Sequence, residues 1–288
     1  STVATLKQYI AEAAARIDKE LEYAKQIQLS ALPTNFPENE EYGIYAEMIA
    51  AKEVGGDFYD FYKLNDTTVA FLAADVSGKG IPAAMFMMTA KTIIKDLAES
   101  GMAVNDIFTR ANEKLCENNE ADMFVTAWMG ILDLQTGNMK YANAGHNPPL
   151  LKRADGSFEY LRSRAGFVLA GIEGFHYRVN ELQLKAGDRL FLYTDGVTEA
   201  ADKDMELYGN ERLQNALNEL SEASPKETVD ALLDRLTEYS KDTEQADDIT
   251  MTALQYFSPK KREQYEINLP ADKAQLQVLL DHVDALLE

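Results

Sequence analysis

Apolar residues return every seven positions near the start of this chain, at Ile10, Ile17, Ala24 and Ala31. Leu6, Ala13 and Ile27 fill the second seam position, and Glu20 interrupts it once. Residues 1–31 contain no Gly or Pro and are rich in Ala, Glu, Lys, Leu and Ile, a helix-forming composition. The spacing predicts one long helix whose narrow apolar seam pairs with a second copy as a two-stranded coiled coil; a helix packed on its own domain is the competing reading. Pro33 and Pro37 in LPTNFP end it.

Beyond Pro37 the period shortens. GIYAEMIAA, FYDFYKL and TVAFLAAD read as strands, the last apolar on both faces, and PAAMFMMTAKTIIKDLAES reads as a helix opened by Pro82. A second helix, VNDIFTRANEKLCENN, follows Gly101. Strands return at FVTAWMGILDL, NMKYANA and PPLLKR, separated by the turn signals QTGN and ADGS. VNELQLKAGDRLFLYTD supplies two more strands around a Gly-Asp turn, NERLQNALNEL and PKETVDALLDRLTEYS two more helices, and ITMTALQYF a last strand. Strands with helices inserted in blocks predict an α+β domain over residues 37–257, layered as sheets with helices outside. Residues 1–36 form a helical linker before it. Residues 258–288 hold a basic SPKKR linker, the strand-like YEINLPA and the amphipathic DKAQLQVLLDHVDALLE. They are too few for a domain, and the uncapped helix at Glu288 leads us to expect one that continues further.

With 288 residues and 46% hydrophobic content, the chain can build one large core or two modest ones. The longest apolar run, AAMFMMTA, falls well short of the roughly 18 residues a bilayer crossing needs, and no secretory signal pattern is present, so a cytoplasmic setting without direct membrane contact is expected. Cys116 is the single cysteine, which excludes an internal disulfide and leaves no Cys/His set for zinc. The 28 basic and 48 acidic residues give a formal charge of −20, which argues against nucleic acid or an anionic membrane as partner, because both require a basic footprint.

Four aspartates stand where strands run into loops: Asp57 in VGGDFYD, Asp75 in ADVSGKG, Asp195 in YTDGVTE and Asp247 in ADDIT. Any one alone reads equally as a turn or helix-capping residue. Together they point to hard metal ions, because carboxylates at the ends of buried strands need cations, Lys79 is the only basic residue in ADVSGKG, and YTDGVTEAAD has none. Other motifs fail. DKDMELYG begins like a calcium loop but places Leu207 where glycine is required, and the GKG at 78–80 lacks the rest of a nucleotide-binding loop. His146 in NAGHNPP reads as a structural turn histidine, and Met85, Met87 and Met88 read as core packing.

VGGDFYDF, ADVSGKGIPAAM, NAGHNPPLL, LYTDGVTEA and DDIT, in this order across about residues 27–256, resemble the SpoIIE/RsbU branch of the PPM (type 2C) protein serine/threonine phosphatases. The resemblance implies an αββα sandwich of two antiparallel sheets and a centre of two Mn²⁺ or Mg²⁺ ions. It implies that Asp57 and Asp75 hold the metals from one side, Asp75 bridging, with the Val76 carbonyl as a further candidate ligand. Asp195 and Asp247 would close the site from the other sheet; the family's motif favours Asp247 over Asp248, which is the reserve. Two such cations, roughly 3.5–4 Å apart, would acidify a water that attacks phosphorus directly. Where many type 2C phosphatases carry histidine, this chain has Ser77, which leaves protonation of the leaving group unassigned. The resemblance further implies a phosphorylated STAS-domain antagonist of a bacterial anti-sigma factor as substrate, and an upstream sensor domain that dimerises the protein through the N-terminal coil. The tail from Tyr265 resembles the start of an anti-sigma-type GHKL kinase domain. If coil geometry sets the pose of the helix at 82–99, dimerisation would gate metal occupancy. A non-catalytic pseudophosphatase that scaffolds the same partners is the rival reading.

Overall fold

The computed structural model describes residues 2–258 apart from Glu38 and Asn118, so the tail beyond Ser258 lies outside the described residues. The predicted N-terminal helix is a single rod, α1 (Thr2–Ala31), that stops just before Pro33. From Val3 to Ile27 its residues are exposed or half-buried, and it meets the body at its C-terminal end, where Gln28 and Leu32 are buried.

Strands β1 (Tyr42–Ile49), β2 (Phe58–Asn65) and β3 (Thr68–Val76) lead into α2 (Ile81–Glu99) and α3 (Val104–Cys116). β4 (Val125–Asp133), β5 (Asn138–Ala144), β6 (Leu150–Lys152), β7 (Phe158–Tyr160), β8 (Asn180–Gln183) and β9 (Arg189–Tyr193) follow. After these come α4 (Asp195–Glu199), α5 (Gly209–Glu219), α6 (Pro225–Tyr239) and β10 (Ile249–Tyr256). The strands form two antiparallel five-stranded sheets, in the orders β1-β10-β9-β6-β7 and β2-β3-β4-β5-β8.

Side-chain alternation on β3 explains the layering. Val69, Phe71 and Ala73 point between the sheets, where they join Trp128, Tyr141, Leu192, Leu254 and Tyr256. Ala70, Leu72, Ala74 and Val76 point the other way, under Met87, Ile94, Ile107 and Phe108 of α2 and α3. A strand covered on both faces is apolar throughout, as TVAFLAAD is. On the opposite side, Phe191, Tyr193, Met251 and Ala253 pack beneath Leu213, Leu217, Leu232 and Leu236 of α5 and α6. The result is the expected αββα sandwich, with Trp128 fully buried and stacked on Tyr141 at 5.0 Å in its middle.

One expectation needs correction, and two features go beyond the sequence reading. Met87 is in the core and Met88 packs partly against it, but Met85 is exposed because the helical period carries it to the outer face of α2. The two strands flanking Gly187–Asp188 belong to different sheets: β8 pairs with β5 and β9 with β10, so the turn crosses the sandwich. Asp188 anchors the crossing by accepting the Lys185 and Ala154 backbone N–H groups and the Arg153 guanidinium. The short elements α4 and β7 were not foreseen.

Candidate active site

β2 and β3 are neighbours in one sheet, β9 and β10 in the other, and each pair is antiparallel. The start of β2 therefore lies beside the end of β3, and the end of β9 beside the start of β10. Asp57 immediately precedes β2, Asp75 is the penultimate residue of β3, Asp195 opens α4 just past β9, and Asp247 lies two residues before β10. Antiparallel pairing thus gathers all four predicted aspartates at one edge of the sandwich.

Asp57 is 1% exposed, and burial, then the charge of Asp75, holds its carboxyl well above the usual carboxylate range. Burial, then the charge of Asp195, pushes Asp75 up to about 7. Asp195 is raised by burial and then by Asp247, with Lys79 opposing. Each carboxyl thus feels the next, and the cluster holds more negative charge than its neighbours offset. Among the described residues no group of three or more His, Cys, Asp or Glu side chains is placed as it stands to hold a metal ion. The carboxylates at the edge are oxygen donors with uncompensated charge, a chemistry that suits Mg²⁺ or Mn²⁺ rather than zinc or copper.

Asp247 and Asp248 point to different ends. Asp248 is 5% exposed; its Oδ1 accepts the Ala51 N–H at 2.8 Å, and its Oδ2 accepts the Gly56 N–H at 2.7 Å and the Asp57 N–H at 3.4 Å. It therefore clamps the loop that presents Asp57. A Cβ at Gly55 would stand 2.2 Å from Asp248 Oδ2, and one at Gly56 would stand 2.8 Å from the Val76 carbonyl, so the Gly-Gly pair is what admits both. Asp247 has a 29% exposed side chain facing the cluster's mouth, where Lys79 Nζ lies 2.9 Å from its Oδ2.

Two supports escaped sequence reading. The Thr194 hydroxyl donates to Asp57 Oδ2 at 2.6 Å and accepts the Thr250 N–H at 2.9 Å, which ties the two sheets together at the site. Gln28, at the foot of α1, brackets Gly55: its Nε2 donates to the Gly55 carbonyl at 2.6 Å and its Oε1 accepts the Gly55 N–H at 3.0 Å. Neither residue type carries a local motif signal. Lys91 donates to Asp60 Oδ2 at 2.5 Å in a buried pair that fastens α2 to β2.

His146 lies beside the site with a structural role. It exchanges hydrogen bonds with Asn143, its Nδ1 is 2.9 Å from the Thr126 hydroxyl, and burial lowers its pKa to about 4. A cleft of about 670 Å³ opens beside Asp195, lined by Asn147, Tyr160, Arg162, Ser163 and Asn210.

Two antiparallel sheets packed face to face with helices outside form a PP2C-like fold. The fold matches the SiaA-PP2C domain of Pseudomonas aeruginosa with a TM-score of 0.74 at 23% identity, over 85% of this chain and 98% of that domain. Residues 65–257 match the model of the family described as Stage II sporulation protein E (SpoIIE). The chain belongs to that family. It is 31% identical to the phosphoserine phosphatase RsbU of Bacillus subtilis, over 83% of this chain and 70% of RsbU. It is also 31% identical to protein IcfG of Synechocystis sp., over 82% of this chain and 41% of IcfG, so it spans less than half of that relative's length.

Proposed function

We propose that this chain is a metal-dependent protein phosphatase that removes phosphate from serine or threonine of a small regulatory protein. A phosphorylated STAS-domain antagonist of an anti-sigma factor is the proposed substrate, and partner switching the proposed setting. The supporting observation is the convergence of Asp57 and Asp75 from one sheet with Asp195 and Asp247 from the other. The similarity to a phosphoserine phosphatase over most of both chains points the same way.

In this reading the four carboxylates hold two Mg²⁺ or Mn²⁺ ions, with the Val76 carbonyl as a further donor and Asp248 as the clamp behind them. Such a pair supplies Lewis acidity that activates water and offsets charge on the phosphoryl oxygens. The protein's own part is positional. Thr194 fixes one oxygen of Asp57 and Asp248 fixes the backbone on either side of Gly55, while the cleft beside Asp195 leaves room for the residues around a phosphoserine. The α1 seam serves as a dimer contact that an upstream sensor domain could control.

Hydrolysis of an aryl phosphate tests the chemistry apart from the partner. Turnover should require Mn²⁺ or Mg²⁺, stop with chelator, and fall at least ~100-fold in Asp75→Asn and in Asp195→Asn, given the share of the barrier such electrostatic stabilisation supplies. Turnover that persists in chelator would overturn the reading.

A further inference from the structure

Lys79 follows Asp75 by four residues, in the turn between β3 and α2, yet its ammonium reaches the opposite sheet. There it pairs with Asp247 Oδ2 at 2.9 Å and donates to the Ala246 carbonyl. The other oxygen of Asp247 accepts the Asp248 N–H at 2.9 Å. Both oxygens of Asp247 are thus already engaged, one of them by a positive charge. A carboxylate oxygen keeps a second lone pair, so a divalent cation can still bind there, but two cations on one oxygen repel each other.

The two lysines near the site differ in one respect. Lys91 and Asp60 are sealed, with side chains 10% and 4% exposed, and breaking that pair would strand a buried charge. Lys79 and Asp247 are 39% and 29% exposed, so either partner can return to water at small cost. The first pair is built to stay and the second to exchange.

We propose that Lys79 is a built-in counter-cation that competes with one divalent cation for Asp247, so that it sets how tightly the site holds that cation and frees its ammonium at the mouth of the site when the cation binds. The inference rests on the metal-dependent reading above. It also gives this acidic edge a way to remain folded while no cation is bound.

Calorimetric titration of Mn²⁺ into the 288-residue chain and its Lys79→Met, Lys79→Gln and Lys79→Arg variants tests it. Both neutral variants should bind the weaker Mn²⁺ up to about fivefold more tightly, the upper range for removing a partly exposed ion pair. Lys79→Arg keeps the charge and should not tighten binding. Unchanged or weaker binding in both neutral variants would overturn the inference alone, and would make Lys79 a simple latch between the sheets. No Mn²⁺ binding by the unaltered chain would overturn the phosphatase reading and this inference together.

Discussion

Two adjacent aspartates at the edge of the sandwich have opposite obligations. Asp248 spends its lone pairs on three backbone N–H groups of the 51–57 loop, whereas the Asp247 carboxylate turns to the open edge, where it meets Lys79 and the Asp248 N–H. Asp248→Asn replaces an acceptor with an NH₂ group facing N–H donors. It should destabilise the fold by about 2 kcal/mol, the cost of stranding a buried polar group, seen as an earlier midpoint in urea unfolding. Asp247→Asn should leave that midpoint nearly unchanged and weaken Mn²⁺ binding. The reverse pattern would make Asp248 the ligand. Sequence alone favoured Asp247 only through a family motif. It offered no view of the clamp, because the bonded groups are more than 190 residues apart. Thr194 and Gln28 were invisible for the same reason: each acts through one hydroxyl or amide whose partner is set by tertiary folding.

Among the elements, α1 is the one whose packing is unfinished. Leu6, Ile10, Ile17 and Ile27, all on the predicted seam, are 60%, 60%, 54% and 64% exposed. Exposed apolar side chains repeating along a 30-residue helix call for a second helix. The double variant Ile10→Asp, Ile17→Asp should convert a dimer to a monomer in light scattering and alter turnover with it; a chain already monomeric before substitution would remove the coil. Long periodic elements such as α1, α2 and α6 were legible because each carries a dozen or more residues of pattern. The five residues of α4 and the three of β7 carry too little pattern to be read. Nor could adjacency in sequence reveal that β8 and β9 lie in different sheets, since an apolar face fits either side of the same core.

For the molecule as a whole, the acidic edge ties stability to pH with an inverted sign. Burial and neighbouring carboxylates raise Asp75 from 3.8 to about 7. A carboxyl raised in the folded state contributes stability that is fully present below its unfolded value and lost as pH climbs through the folded one. In chelator, the melting temperature should therefore fall as pH rises from about 4 to about 7, and saturating Mg²⁺ should flatten or reverse that slope. Asp75→Asn should flatten it without metal; an unchanged slope in that variant would place the effect elsewhere.

β10 is the last strand among the described residues, yet it lies between β1 and β9 in its sheet, with Asp247 and Asp248 just ahead of it. A ribosome therefore makes Asp57 and Asp75 some 190 and 170 residues before the strand that completes their surroundings. Until β10 slots beside β1, Asp248 cannot clamp the Asp57 loop, which Gln28 still brackets, and Asp247 has no fixed place. A chain cut ahead of Asp247 would keep nine of the ten described strands yet lose the Asp248 clamp on the Asp57 loop, and with it, in the reading proposed above, the chemistry of the site.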